Sequence, residues 1–118
     1  ELGAGTGGVG LTLAACGAVR VLLTDVARQL PLLQRNTQEN FPGGEVQARA
    51  LDWRVPGDRV GLAPWDDCRW SVIVGSDIGY DPELIEPLLE TLASQCAPET
   101  HVYFALADRE EEEEPNVA

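Results

Sequence analysis

The chain has 118 residues, which suits one small domain, and 44% of them are hydrophobic, enough for a folded core. Its formal net charge of −12 argues against nucleic acid and against an anionic membrane surface as partners, and favours a cationic ligand or a basic protein. The three cysteines have neither the even number of a disulfide framework nor the spacing of a metal site; they are Cys16, Cys68 and Cys96. We therefore expect no bound metal. We also expect a reducing compartment, namely the cytoplasm and also the nucleus.

The first ten residues, ELGAGTGGVG, form a glycine-rich segment. Glycine allows positive φ and close backbone approach, so this pattern is typical of a loop that leaves a strand and enters a cofactor-binding helix. The helix is predicted over residues 8–16, and Gly17 is a natural stop for it. Because only Glu1 and Leu2 come before the loop, we expect most of the strand that feeds it to lie outside this sequence.

Predicted strands and helices then alternate along the chain. Mostly apolar or alternating runs predict strands at residues 18–25, 45–53, 70–77 and 101–107, and helices are predicted at residues 31–40 and from Pro82 to about residue 92, with Asp81 as N-cap. This alternation predicts an α/β fold with a parallel sheet. Residues 1–109 are predicted to form the domain, and residues 110–118 an acidic, disordered tail.

Four acidic residues fall at or just after the ends of predicted strands. They are Glu1, Asp25, Asp52 and Asp77. In a parallel sheet the carboxyl ends of the strands meet at one edge, and ligands bind there. We therefore expect these carboxylates to line one binding site.

The spacing of Gly3, Gly5 and Gly8 also fits the dinucleotide motif GxGxxG, and Asp25 follows at about the 20-residue distance of a ribose-binding acid. Electrostatics favours another ligand, because Glu1 at the mouth of the loop would repel a pyrophosphate. S-adenosylmethionine carries a sulfonium and an ammonium group and no phosphate. The residues thus favour S-adenosylmethionine, and an NAD-dependent oxidoreductase half-domain stays open as the alternative.

Each remaining acid has a role that this cofactor would require. Asp25 can accept hydrogen bonds from both ribose hydroxyls, and Asp52 can accept one from the adenine amine while Trp53 packs beside the ring. Asp77 ends the predicted strand at residues 70–77 and Tyr80 follows it, where the methyl group would leave. These assignments predict a methyl-transfer site at one edge of the sheet.

Structural explanations compete with each of these roles. The glycines could form a plain turn, and Asp25 or Asp77 could only cap a helix, although Asp81 is better placed to cap the helix after Asp77. Trp53 could be a core anchor, and Tyr80 could be a packing residue.

Several segments resemble the seven-β-strand protein lysine methyltransferases of methyltransferase family 16. Beside the glycine loop they are TD at 24–25, LDW at 51–53, SDIGY at 76–80 and PELIEPLLETL at 82–92. Within the family, the pattern is most similar to the branch with the valosin-containing-protein lysine methyltransferase and the enzymes that modify chaperones and elongation factor 1A. The motif D-x-x-Y, here Asp77 to Tyr80, is the most specific of these features.

The resemblance implies a Rossmann-like, three-layer αβα fold with a mostly parallel sheet of seven strands, of which this sequence would be a central part, truncated at both ends. It implies transfer of methyl from S-adenosylmethionine to a lysine of a protein, such as a chaperone, an AAA ATPase or a translation factor. Asp77 and Tyr80 would form the floor of a lysine channel. The implied cofactor contacts come from Glu1, Gly3, Gly5, Gly7, Asp25, Asp52, Trp53 and Ser76. A non-catalytic, methyltransferase-like chain stays open as a further alternative, because family members extend beyond both ends of this sequence.

Overall fold

The structure is a computed structural model that describes residues 1–66 and 69–107. Helices and strands alternate within these residues, which confirms the predicted α/β class. The helices are α1 (Gly8–Ala15), α2 (Leu30–Asn40) and α3 (Pro82–Gln95), with 3₁₀ turns at Ala27–Gln29 and Pro56–Arg59, and the strands are β1 (Val21–Asp25), β2 (Val46–Ala50), β3 (Val72–Ser76) and β4 (His101–Ala105).

The predicted elements are all present, but the strands are shorter than predicted. β1 begins at Val21 because Arg20 has a φ of 58°, which is incompatible with an extended strand. The predicted N-cap at Asp81 is confirmed, since its side chain accepts a hydrogen bond from the amide of Glu83. Pro87 lies inside α3 without ending it. The predicted acidic tail at residues 110–118 lies outside the described residues.

The strands form two parallel pairs, β1 with β2 and β3 with β4. Residues 1–4 form a central segment that lies between the pairs and joins them. The amide of Leu2 donates to the carbonyl of Val74 over 2.9 Å, while the amide of Thr24 donates to Glu1 O over 3.0 Å and the amide of Ala4 to Thr24 O over 2.9 Å. The spatial order is therefore β2, β1, residues 1–4, β3, β4.

Two apolar clusters cover the two faces of this sheet. Leu23 of β1 and Leu33 of α2 are both fully buried in one cluster. The neighbouring Leu22 belongs to the other cluster, together with Ile73 of β3 and Leu88 of α3. Because successive strand residues point to opposite faces, α2 lies on one side of the sheet and α3 on the other. No helix among the described residues is long and apolar enough to cross a membrane.

Helix α1 packs closely against β1 at a buried glycine, Gly10. A Cβ at this position would overlap the side chain of Leu23 and lie 2.8 Å from Oε2 of Glu1. The Gly10 amide also donates to that oxygen over 2.9 Å. Burial raises the pKa of the Glu1 carboxyl, and this hydrogen bond opposes the effect. Glu1 thus holds the first turn of α1 against the sheet.

We expect Gly10→Ala to lower the free energy of unfolding by about 1–3 kcal/mol, because the added methyl overpacks the contact with Leu23. Gly8→Ala is the matched control in the same helix, since a Cβ there meets nothing within 4 Å. That change should leave stability unchanged or raise it by about 0.5–1 kcal/mol. Urea denaturation followed by circular dichroism measures both. Equal stabilities of the two variants would contradict the close packing of α1.

Candidate functional site

The glycine loop, residues 3–7, leads from the central segment into α1. Gly3, Gly5 and Gly7 all have positive φ, at 61°, 59° and 90°. A Cβ on Gly3 would lie 2.6 Å from Cγ2 of Ile78, whereas a Cβ on Gly5 would meet nothing within 4 Å. The packing of Ile78 therefore requires a residue without a side chain at position 3, whereas the backbone at Gly5 is open to a ligand.

Asp25 ends β1 and binds the glycine loop directly. Its Oδ2 accepts from the Gly5 amide over 2.8 Å, and its Oδ1 accepts from the Val26 amide over 2.7 Å. It caps no helix, because the 3₁₀ turn that follows has Val26 at its N-cap position and no side-chain cap. A carboxylate offers about four lone-pair positions, so Asp25 keeps acceptor capacity for a ligand hydroxyl. The bond to Gly5 was not among the features predicted from the sequence.

Asp52 follows β2 and forms an ion pair with Arg54. Its oxygens accept from Nε of Arg54 over 3.1 Å and from its terminal nitrogen over 2.9 Å. Arg54 holds the pKa of Asp52 below its ordinary value through these bonds. Arg54 is exposed and Asp52 is partly exposed, and ion pairs at the surface contribute little to stability. A ligand amine could thus compete for Asp52 at small cost. The adenine contact of Asp52 stays a prediction.

Trp53 is half-buried and packs against the apolar cluster that contains Leu51. Its ring also faces the glycine loop, since a Cβ on Gly3 would lie 3.6 Å from Cζ2 of Trp53. Trp53 is therefore a core anchor by its contacts. Trp53 also lies beside the loop, and its predicted contact with a cofactor stays a prediction.

The end of β3 makes a sharp turn. Ser76 is the last strand residue and is exposed, and the amide of the next residue, Asp77, donates to the carbonyl of Ala105 over 2.8 Å. Asp77 has a φ of 55°, in the left-handed region that aspartate and asparagine tolerate better than most residues. Tyr80 is 64% exposed. The N-cap of α3 is Asp81, whose Oδ1 accepts from the Glu83 amide.

Ile78 connects the D-x-x-Y turn to the glycine loop. It is buried, and a Cβ on either Gly3 or Gly75 would overlap its side chain. The turn that holds Asp77 and Tyr80 is therefore packed on the backbone of the central segment. Ile78 had no predicted role, although an apolar residue inside a polar turn is a sequence signal of such an anchor.

Apart from Glu1, the predicted site residues thus lie at the carboxyl edge of the sheet. Contacts bring together the glycine loop, Asp25, Trp53 and Ile78, and the turn after β3 follows at the same edge. The carboxylate of Glu1 accepts from the Gly10 amide of α1, and the negative charge of Asp25 adds to the burial that raises the pKa of Glu1. Among residues 1–66 and 69–107, no cluster of three His, Cys, Asp or Glu side chains is placed to hold a metal ion.

Comparison with known proteins adds independent information. The family described as lysine methyltransferase matches residues 1–117. Protein N-lysine methyltransferase METTL21A of Danio rerio is 38% identical over 117 residues, which cover 97% of this chain and 51% of that protein. EEF1A lysine methyltransferase 3 of Mus musculus is 35% identical over 117 residues, which cover 94% of this chain and 45% of that protein.

A third relative, protein-lysine methyltransferase METTL21E of Mus musculus, is 33% identical over 116 residues, which cover 96% of this chain and 46% of that protein. The chain thus spans about half the length of the curated relatives it matches. The family match extends over nearly all of the chain, through the glycine loop and the D-x-x-Y turn alike. On this evidence the chain belongs to the lysine methyltransferase family.

Proposed function

We propose that the protein transfers a methyl group from S-adenosylmethionine to a lysine side chain of a protein substrate. The observation that supports this most directly is the bond between Asp25 and the amide of Gly5, beside a loop backbone that is open to a ligand. Membership of the lysine methyltransferase family supports methyl transfer to lysine as the reaction at this site. The same membership is the basis for proposing a complete Rossmann-like sheet of seven strands.

The glycine loop suits a cationic nucleoside better than a pyrophosphate. A phosphate at the loop would be repelled by the carboxylate of Asp25. That carboxylate also already accepts the hydrogen bond of the Gly5 amide, which a bound anion would need. The ribose hydroxyls, by contrast, are donors for the remaining positions on Asp25. When bound, S-adenosylmethionine would supply a methyl group on a sulfonium, and the acids at this edge would attract that positive charge.

Residues on both sides of the loop would hold the cofactor. Asp25 would bind the ribose and Asp52 the adenine amine, after exchanging its bond to Arg54. Trp53 would lie beside the ring. The backbone of Gly3, Gly5 and Gly7, with Glu1 and Ser76, would complete the contacts.

Asp77 and Tyr80 would orient the lysine. The amine must be neutral to attack, so Asp77 would accept one N–H while the Tyr80 hydroxyl or ring fixes the direction of the nitrogen. The proton lost from lysine can pass to water, and neither side chain has to be a strong base. The exposure of Tyr80 supports access by a large substrate.

The names of the relatives point to protein substrates, and one of them names elongation factor 1A. We therefore propose a protein partner for this chain as well, a translation factor, a chaperone or an AAA ATPase. We propose a cytoplasmic and nuclear location, where such partners occur. These substrates and this location belong to the proposal for the whole protein.

We expect Asp25→Ala to weaken S-adenosylmethionine binding by roughly 1 to 3 kcal/mol, because it removes charged acceptors for the ribose and the anchor of Gly5. Glu45→Gln is the matched control, an exposed charge at the opposite end of the strands. Isothermal titration calorimetry measures both, with NAD as a second titrant. Equal affinities of Asp25→Ala and Glu45→Gln would contradict the ribose assignment, and tighter binding of NAD than of S-adenosylmethionine would overturn the proposed cofactor.

We expect Asp77→Asn to slow methyl transfer by a factor on the order of 10² or more, while cofactor affinity stays within a few fold, because the lost contact acts on the lysine. Asparagine tolerates the left-handed φ of this position, so the variant tests charge and not strain. Asp81→Asn is the control, since asparagine still caps α3. Transfer of radiolabelled methyl to a lysine-bearing protein is the measurement. If Asp77→Asn transferred methyl as fast as Asp81→Asn, the proposed role of Asp77 in orienting the lysine would be contradicted.

A further inference from the structure

The 3₁₀ turn Pro56–Arg59 is hydrogen-bonded to the two residues that the proposed function places beside the adenine. Oδ2 of Asp58 accepts from the amide of Asp52 over 3.0 Å. The terminal nitrogen Nη2 of Arg59 donates to the carbonyl of Trp53 over 2.8 Å. The turn therefore holds the backbone at both of these positions.

Arg59 is also tied to helix α3. Its Nη2 donates to Oε2 of Glu90 over 3.4 Å, and its carbonyl accepts from the side-chain amide of Gln95 over 3.1 Å. The indole nitrogen of Trp70 donates to Oε1 of Gln95 over 3.2 Å, which fixes this amide. Gln95 is the last residue of α3, and α3 begins directly after the D-x-x-Y turn. Arg59 thus joins the carbonyl of Trp53 to the helix that follows the proposed lysine site.

The burial of Arg59 is not explained by its ion pair with Glu90. The side chain of Arg59 is 13% exposed, whereas that of Glu90 is 56% exposed. The Nε of Arg59 is buried as well and, within residues 1–66 and 69–107, has no hydrogen-bond partner. Burying a donor without an acceptor costs stability, and an ion pair with an exposed partner returns little. Stability alone is therefore a poor explanation for an arginine here, and the bond to the Trp53 carbonyl is a better one.

We propose that this 3₁₀ turn is a positioning element for the nucleoside base of the cofactor. Asp58 and Arg59 fix the backbone at residues 52–53, and this backbone sets where the carboxylate and the indole ring meet the adenine. The inference rests on the proposed function and deepens it. Asp58 and Arg59 act on the backbone and not on the base itself, so their loss should weaken recognition of the adenine amine and leave the ribose contact of Asp25 in place.

Base selectivity is the property that separates a positioning role from a structural one. S-inosylhomocysteine differs from S-adenosylhomocysteine in having a carbonyl oxygen in place of the adenine amine, so it offers no donor to Asp52 at that position. We expect the full chain to bind the adenosyl compound at least about tenfold more tightly, because a site built around a hydrogen bond rejects an analogue that lacks the donor. Isothermal titration calorimetry measures the ratio of the two affinities. A merely structural change lowers both affinities and leaves this ratio unchanged.

We expect Arg59→Met to reduce the ratio to less than about threefold, because the Trp53 carbonyl loses its donor while the apolar stem of the side chain is kept. Arg59→Lys should keep the ratio. Both bonds of Arg59 come from the single nitrogen Nη2, which a lysine nitrogen can replace, and lysine has no counterpart of the unpaired Nε. Arg35→Met is the control, since it removes an arginine from an exposed ion pair in α2.

Asp58 provides a second variant that does not depend on the folding of Arg59→Met. We expect Asp58→Ala to reduce the ratio in the same way, because the amide of Asp52 loses its acceptor. Asp58→Asn should keep the ratio, since the side-chain oxygen of asparagine can still accept from that amide. Urea denaturation followed by circular dichroism shows whether each variant is folded.

The outcomes distinguish failure of this inference from failure of the proposed function. A ratio that stays at the wild-type value in the folded Arg59→Met and Asp58→Ala chains, or in whichever of the two folds, would overturn the inference and leave the proposed cofactor in place. A wild-type chain that binds neither compound would overturn the proposed function, and this inference with it. Equal affinities of the wild-type chain for the two compounds would contradict the Asp52 contact, and the inference would fail with that contact.

Discussion

The pairing of residues 1–4 with both neighbouring strands is the contact on which the rest of this structure depends. β1 with β2 and β3 with β4 are separate pairs, and the described hydrogen bonds between them pass through this segment. The same residues lead directly into the glycine loop. The position of the loop relative to Asp25 on one side and to the turn after β3 on the other is therefore set by a few backbone hydrogen bonds.

Close packing at glycines transmits this arrangement to the site. Ile78 occupies the space that side chains at Gly3 and Gly75 would take, and Leu23 does the same at Gly10. Each glycine lets a buried side chain reach the backbone of another element. The loop, the D-x-x-Y turn and α1 are consequently held to the same central segment, and a change at one of these contacts alters the position of the others.

The sequence was sufficient for features that depend on local patterns. The order of helices and strands and the cap at Asp81 follow from periodicity and capping chemistry within a few residues. It was not sufficient for the bond from Asp25 to Gly5, the pairing of Asp52 with Arg54 or the anchoring of Ile78. The first and third of these join positions far apart in the chain. The second is local, but many charged side chains lie near Asp52, and spacing alone does not choose between them.

The strand β4 has a consequence for the behaviour of the protein in solution. It pairs with β3 on one side, and in the part of the chain that the structure describes no strand pairs with its other side. Val102 and Tyr103 are 40% and 61% exposed on this strand. An open strand edge with apolar side chains is a template for a strand of another molecule. Among the described residues, the unpaired side of β4 is thus where a further strand, of this protein or of another molecule, can pair, and the strong negative charge of the chain opposes association between copies.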